Sequence, residues 1–211
     1  MARTSADDRR KQLVDAAIDV IAEAGLAKAT TRRITARAGV PLAFMHYCFR
    51  SKDELLTAVA DEVLVRTMPS FDRIPTDRGL AAAISFVVDD LWRWVREERN
   101  LQLSLMELLT WVAHRERTPG VEVRVYQPTF ELLAERLEEA AAGHGDTAPV
   151  SMDAIARLVV AGLDGLFMQA LSTGRLDEMD EDVAVLARAL VAMVESPRPV
   201  AVGRRRPSHP R

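Results

Sequence analysis

The 211-residue sequence contains one cysteine, Cys48, and only 5% aromatic residues. A single cysteine excludes an intramolecular disulfide and suits a reducing compartment. No apolar run approaches the roughly 18 residues of a membrane span. The N-terminus also lacks the apolar core of a signal peptide, because three acids interrupt residues 13–24. These absences predict a soluble, cytoplasmic protein.

The usual signatures of catalysis are also missing. We find no Ser-His-Asp set, no paired metal ligands and no glycine-rich phosphate loop. His46 and Cys48 stand two residues apart on a predicted helix, so they point away from each other and cannot share one ion. No enzyme activity, metal or cofactor is expected. Strand-like alternation is nearly absent, which predicts an all-α protein.

Charge is unevenly distributed along the chain. Residues 1–52 hold ten Lys or Arg against five Asp or Glu, whereas residues 53–196 hold thirteen against twenty-six. Residues 197–211 carry five Arg and no acid. A basic N-terminal part on an acidic remainder suits a protein that offers one end to a polyanion.

Helical periodicity and helix-end signals divide the chain into about nine helices. The first opens at Ser5 and ends at Gly25, and Ser51 with Glu54 forms a capping box that starts the fourth. Residues 68–77, with two prolines, are predicted to break the pattern and separate two parts. Residues 121–126 alternate like a strand, but helical spacing continues beyond them, so we predict a helix over 121–142. The predicted domains are 1–52, 53–196 and a disordered basic tail, 197–211.

Residues 30–52 carry the most informative pattern. They predict two short helices joined by a tight turn at Gly39 and followed directly by a third. This is the layout of a helix-turn-helix, whose second short helix lies in the major groove of DNA. Glycine suits the turn because it adopts left-handed backbone conformations without a steric penalty.

The same stretch resembles the tetracycline-repressor-like (TetR) transcriptional regulators. The resemblance rests on Thr30-Thr31, the Ala-Gly-Val of residues 38–40, an aromatic cluster ending at Phe49, and the Ser-Lys-Asp-Glu-Leu-Leu of residues 51–56. It covers about residues 6–63. It implies an N-terminal helix-turn-helix DNA-binding domain, joined by the fourth helix to a larger helical domain for ligand binding and dimerisation.

Candidate DNA contacts come from helix geometry and from the resemblance. A hydroxyl at a helix start, Thr31, can hold a phosphate, and Arg32 can reach guanine. Arg33 is a phosphate contact or a solvated charge. The resemblance implies base contacts by Leu42 and Ala43. It also implies backbone contact by Tyr47 and a phosphate contact by Lys52, and the remaining candidates on the reading helix are Phe44 and His46. Leu42 and Phe44 stand where the family usually has polar or small residues.

The later helices carry two further predictions. Large apolar residues from several helices either fill a core or line an effector cavity, as the resemblance implies: Phe86, Trp94, Met106, Trp111, Phe130 and Phe167. Gln102, Glu107, His114 and Gln169 are polar groups that could orient such a ligand. The last two helices either close the core or form a dimer interface through Leu158, Gly162, Leu166, Leu186 and Leu190.

The expected function is therefore a ligand-responsive regulator, most simply a repressor. It would bind a palindromic operator in double-stranded DNA as a homodimer and be released by a small apolar effector. Two alternatives remain open at this point. One is a DNA-binding dimer that needs no ligand. The other is an all-α carrier or enzyme with an incidental helix-turn-helix pattern, which steeply salt-dependent duplex binding would exclude.

Overall fold

The computed structural model describes residues 6–114 and 126–195, and within these ranges the chain is all-α, as predicted. Two short 3-10 turns, Leu26–Lys28 and Leu176–Glu178, accompany the helices. The nine helices are α1 (Ala6–Ala24), α2 (Thr31–Arg37), α3 (Leu42–Cys48), α4 (Lys52–Asp72), α5 (Leu80–Glu97), α6 (Arg99–His114), α7 (Tyr126–His144), α8 (Met152–Thr173) and α9 (Asp180–Glu195).

Helices α1 to α3 form a small unit that we call the head. One face of α1 is buried along its length, from Leu13 to Ile21, and α2 and α3 add Ile34 and Met45 to the same core. The first turns of α4 complete it with Leu55 and neighbouring apolar residues. Burying these side chains stabilises α2 and α3, which have 7 residues each and are too short to be stable alone.

Local signals fix the ends of the short helices. Thr30 caps α2, its hydroxyl accepting a hydrogen bond from the amide of Arg33 at 3.2 Å. Gly39 has a φ of +64° in the turn between α2 and α3, the left-handed conformation expected for it. Ser51 caps α4 by accepting from the amide of Glu54 at 3.1 Å, and Glu54 accepts from the amide of Arg50 at 2.8 Å. The predicted capping pair is present, with the returning bond one residue earlier than in a standard capping box.

The prediction that residues 68–77 break the helical pattern was wrong in its first half. Helix α4 continues through Pro69 and ends at Asp72. A proline inside a helix removes a backbone hydrogen bond, but burial of Thr67, Ser70 and Phe71 holds this last turn against the body. The true break is the short segment between Asp72 and Leu80.

Helix α6 lies between the two parts of the molecule. Leu101, Leu105 and Leu108 belong to the head core, where α6 packs along α1. The Ser104 hydroxyl donates to the main-chain oxygen of Ile18 in α1 at 2.9 Å. Because Leu103 and Met106 of the same helix pack against the second core, α6 joins the two parts.

Helices α5, α7, α8 and α9 surround a second core, and together with α6 they form what we call the body. By length and composition, α8 could cross a membrane, although the sequence alone indicated no such segment. Here it packs against α7 and α9, with Ile155, Val159 and Leu163 buried in the core. Part of its apolar surface therefore lies in the interior of the body, whereas Leu158 and Met168 remain exposed.

Several predictions fall outside the described residues. These are the start of α1 at Ser5, residues 121–125 of the predicted seventh helix, and the tail at 197–211. Within the described part, α7 begins at Tyr126 and ends at His144, two residues beyond the predicted end.

Candidate functional site

Helix α3 presents one exposed face, which we call the reading face and define as Leu42, Ala43, His46 and Tyr47. Tyr47 is 73% exposed and Leu42 38%. Their positions repeat at helical spacing, so the four side chains point the same way. The opposite side of α3 is anchored, with Met45 and the following Phe49 almost fully buried.

Contacts from α1 fix the position of α3 and its preceding turn. The Arg10 guanidinium lies 4.1 Å from the ring centre of Phe49 and donates to the main-chain oxygen of Cys48 at 2.8 Å. The Gln12 amide donates to the main-chain oxygen of Ala38 at 2.7 Å. These bonds hold the reading face as a rigid surface, a condition for shape-specific recognition.

One proposed contact, Phe44, does not belong to the reading face. Its ring is half-buried against the head core, and the Arg9 guanidinium covers it at 5.3 Å from the ring centre. Helical spacing explains the difference, because residue 44 lies about 100° from residue 43 and turns towards α1. Phe44 therefore supports α3 rather than facing outwards.

The α2 candidates differ in their surroundings. Arg32 and Arg33 are exposed, and Thr31 is half-buried, with its main-chain oxygen accepting from the Thr35 hydroxyl at 3.0 Å. Arg37 pairs with Glu23 and, at 3.6 Å, with Asp19 of α1. Only the first two arginines are thus open to a ligand on this helix. Lys52, at the start of α4, is half-buried at the edge of a groove between α6 and the head.

The single cysteine lies next to the reading face but is poorly suited to redox sensing. Burial raises the pKa of the Cys48 thiol, and the nearby Arg10 and Arg9 charges only partly oppose this. The reactive thiolate is therefore scarcer than on a free cysteine.

Comparison with known proteins identifies the family of this chain. The profile of "Bacterial regulatory proteins, tetR family" matches residues 13–59, which span α1, the reading helix and the start of α4. The nicotine-responsive transcriptional repressor HdnoR of Paenarthrobacter nicotinovorans is 32% identical over 169 residues, 79% of this chain and 86% of that protein. The chain belongs to the TetR family. It is accordingly a helix-turn-helix transcriptional regulator.

Two more transcriptional regulators match over most of the chain. The transcriptional regulator BetI of Rhizobium meliloti is 31% identical over 69% of this chain and 83% of its own length. A crystal structure of a TetR transcription regulator from Haloarcula marismortui has a TM-score of 0.74 and 22% identity, covering 90% of this chain and all of that one. The likeness to that structure extends the shared fold through the body.

The six large apolar residues proposed for an effector site do not converge on one cavity. Phe167 is fully buried and Phe86 half-buried, both within the body core. Met106 and Trp111 line the groove beside the head, and Phe130 stacks on Tyr126 with ring centres 5.6 Å apart. Only Trp94 lines the cavity described next. The sequence could not separate these sites, because helical spacing does not determine which neighbouring helix each aromatic residue meets.

A small cavity of about 50 Å³ lies among α4, α5, α6, α7 and α8. Its wall is mainly apolar, with five polar residues: Thr67, Gln102, Tyr126, Thr129 and Asp164. Asp164 accepts hydrogen bonds from the Tyr126 hydroxyl at 2.6 Å and from the Gln102 amide at 2.9 Å. A space of this size holds a few water molecules, well below the roughly 300 Å³ of a drug-sized pocket.

Burial has the largest effect on the pKa values of Asp164 and Tyr126. It raises the pKa of Asp164, while the two hydrogen bonds from Tyr126 and Gln102 act in the opposite direction. Burial, together with the carboxylate beside it, also raises the pKa of the Tyr126 hydroxyl, which therefore stays protonated and donates. Gln102 was among the polar residues predicted to orient a ligand, whereas Asp164 and Tyr126 were not. Asp164 could have been found in the sequence, because it is a lone acid in the middle of the apolar helix α8.

The residues predicted to form a dimer interface differ in how far they are buried within the single chain. Leu158 is 41% exposed, but Leu190 is buried in the core of a single chain, so its side chain is unavailable to a partner. Gly162 allows close packing within the chain, since a Cβ there would lie 2.7 Å from a methyl of Leu186. Leu166 is half-buried against the same core. The exposed apolar residues that these two helices do present are Leu158, Met168, Val185 and Met193.

A charged cluster connects the head to the cavity wall. Arg66 of α4 pairs with Asp15 of α1, with Glu62 at 2.8 Å and with Glu98 at 2.9 Å. Glu98 lies in the sequence between two residues of the cavity wall, Trp94 and Gln102. Its main-chain amide donates to the main-chain oxygen of Trp94 at 2.8 Å, and its main-chain oxygen accepts from the amide of Gln102 at 3.0 Å. We call Arg66 with its three acids the Arg66 cluster.

Proposed function

We propose that this regulator is a repressor that binds a palindromic operator as a homodimer and releases it when an effector occupies the body. The observation that carries the DNA-binding part is the reading face of α3. It is exposed, anchored from behind, and placed on the basic end of an otherwise acidic chain. Apolar and aromatic side chains on this face can contact thymine methyl groups, while neighbouring cations hold phosphates.

The assignment of residues follows from exposure. Leu42, Ala43, His46 and Tyr47 meet base edges or adjoining sugars, and Arg32 and Arg33 approach from α2. Thr31 and Lys52 supply backbone contacts at two helix starts, where main-chain amides favour anions. Phe44 acts indirectly by setting the angle of α3. The domain division remains at residue 52, although the first turns of α4 pack into the head core.

The homodimer proposal rests on the apolar surface that α8 and α9 leave uncovered. Leu158, Met168, Val185 and Met193 are each more than a third exposed, and Gly165 lies among them on α8. A second copy of the chain covers this surface in the proposal. Two heads would then present reading faces about 34–36 Å apart, matching successive major grooves on one side of the duplex.

Dimerisation is tested by Gly165→Glu. A side chain built at Gly165 meets nothing within 4 Å in its own chain, so the monomer should fold normally while the proposed interface gains a buried charge. Light scattering should report a dimer for the wild type and a monomer for the variant. Ala142→Glu, exposed on α7, is the control and should remain dimeric. A dimeric G165E protein would contradict this interface.

The DNA-binding proposal is tested by selecting bound fragments from random duplexes. An inverted repeat with half-site centres about 10 base pairs apart is the expected product. Tyr47→Ala should then weaken binding to the selected duplex about tenfold or more. Val65→Ala, a similarly exposed apolar residue on α4, should bind like the wild type. Failure to enrich any sequence, or equal loss in both variants, would refute the assignment.

The effector part of the proposal draws on the cavity beside Trp94 and on the name of HdnoR, a nicotine-responsive repressor. A regulator that binds DNA without an effector is the second candidate, and the small volume of the cavity favours it. The affinity of the protein for its duplex, measured with and without an effector, distinguishes the two candidates. An effector that couples the body to the DNA-binding head by about 1 kcal/mol changes this affinity about fivefold.

A further inference from the structure

The strongest feature that the proposed function leaves unexplained is the carboxylate of Asp164. It lies in the wall of a mostly apolar cavity and is the one acid among the residues that line it. Asp164 is itself half-buried, and most of the side chains around it in this wall are apolar, so its carboxylate is not a solvated surface acid. Placing an acid here costs free energy that an apolar residue would avoid.

The described partners of Asp164 carry no charge. They are the Tyr126 hydroxyl and the Gln102 amide, neutral donors at 2.6 and 2.9 Å. Within residues 6–114 and 126–195, no Lys or Arg forms an ion pair with this carboxylate. A carboxylate offers about four acceptor positions, and the described residues use two of them. The remaining capacity suits a cationic donor from outside the chain.

The rest of the wall suits the apolar part of such a molecule. Leu91, Val95 and Leu105 contribute aliphatic surface, and Trp94 contributes an aromatic ring.

We infer that this cavity binds an organic amine cation, whose ammonium group pairs with Asp164 and whose apolar part lies against Trp94 and the aliphatic wall. Aromatic rings beside a desolvated cation add cation–π attraction to the ion pair. The present volume accommodates the ammonium group alone, so binding of the apolar part requires the wall to open. This inference rests on the proposed function, since it specifies the chemical class of the effector.

The test uses two probes of the same shape and different charge, 4-phenylbutylamine and 4-phenyl-1-butanol. Calorimetric titration of the full-length protein should give an amine affinity about tenfold or more above that of the alcohol, because charge-assisted hydrogen bonds exceed neutral ones. Asp164→Asn keeps the shape of the side chain and should reduce the amine-to-alcohol ratio to about one. Glu135→Gln, exposed on α7 and not part of the cavity wall, is the control and should retain the wild-type ratio.

Release of the DNA duplex by each probe is measured in a separate experiment, so that the cation site and the effector function can be refuted independently. Amine binding that depends on Asp164 but leaves DNA affinity unchanged would support the cation site and refute the effector function. Equal binding of both probes, a ratio unchanged in D164N, or no binding of the amine would overturn the cation site. If both probes bind equally and the alcohol releases DNA, the cation site is refuted but the effector function is not.

Discussion

Replacing Arg66 by methionine should lower the stability of the protein more than any single surface ion pair would. Met keeps the apolar stem of the side chain and removes the guanidinium that Asp15, Glu62 and Glu98 share. The Arg66 side chain is 26% exposed and that of Glu62 17%, so solvent screens the cluster only in part. Three carboxylates would be left close together without their common cation.

The magnitude follows from the number and exposure of these bonds. Fully exposed pairs contribute about 0–1 kcal/mol each, whereas hydrogen bonds to charged groups contribute about 1.5–3 kcal/mol. Three partly exposed bonds, sharing one ordered side chain, should therefore contribute about 2–3 kcal/mol in total. For a chain of this size, that corresponds to a fall in Tm of about 4–12 °C.

Urea unfolding of the wild type, R66M and the control Arg175→Met measures this difference. Arg175 makes an exposed ion pair with Glu178 three residues away, and its loss should cost less than about 0.5 kcal/mol. Adding Glu98→Gln to R66M should restore part of the stability, because it removes one of the unpaired carboxylates. Equal losses in R66M and R175M would refute the reasoning.

Three further predictions concern single residues. Burial raises the pKa of Asp164 above its ordinary value of 3.8, so its stabilising contribution is complete below that pH and is lost as pH rises through the folded-state pKa. The unfolding free energy of the wild type should therefore fall relative to that of D164N as pH rises above about 4, and parallel profiles would contradict this. Gly39→Ala should cost about 1–2 kcal/mol in unfolding free energy, since its φ is +64° and the added Cβ meets nothing else, and Gly39→Asn should cost less; no loss in the alanine variant would contradict the assigned turn. Because burial raises the pKa of Cys48, iodoacetamide should modify it several times more slowly at about pH 8 than it modifies a model peptide thiol, and an equal rate would count against its burial.

The sequence was most informative where local rules decide the structure. Ser51 as a helix cap and Gly39 as a left-handed turn depend on a few neighbouring residues and were predicted correctly. The rule that proline ends a helix failed at Pro69, because burial of Phe71 and its neighbours outweighs a lost backbone bond. Local propensity is a weak guide where tertiary packing opposes it.

The sites in the body depended on information that a single helix does not contain. Apolar spacing on α8 and α9 indicated buried faces, but it could not say that Gly162 packs against Leu186 of the same chain while Leu158 remains exposed. Asp164 meets Tyr126 and Gln102 only because three helices converge. A pairing between residues 38 and 62 positions apart leaves no local trace in one sequence.

The central claim, that the reading face of α3 meets duplex DNA, is tested most directly by photo-crosslinking. A benzoylphenylalanine placed at Ala43, which is exposed on this face, should crosslink to the selected duplex in a salt-sensitive reaction. The same group at Glu138, exposed on α7, should give no crosslink above background. Equal crosslinking from both positions, or crosslinking only from position 138, would contradict the claim.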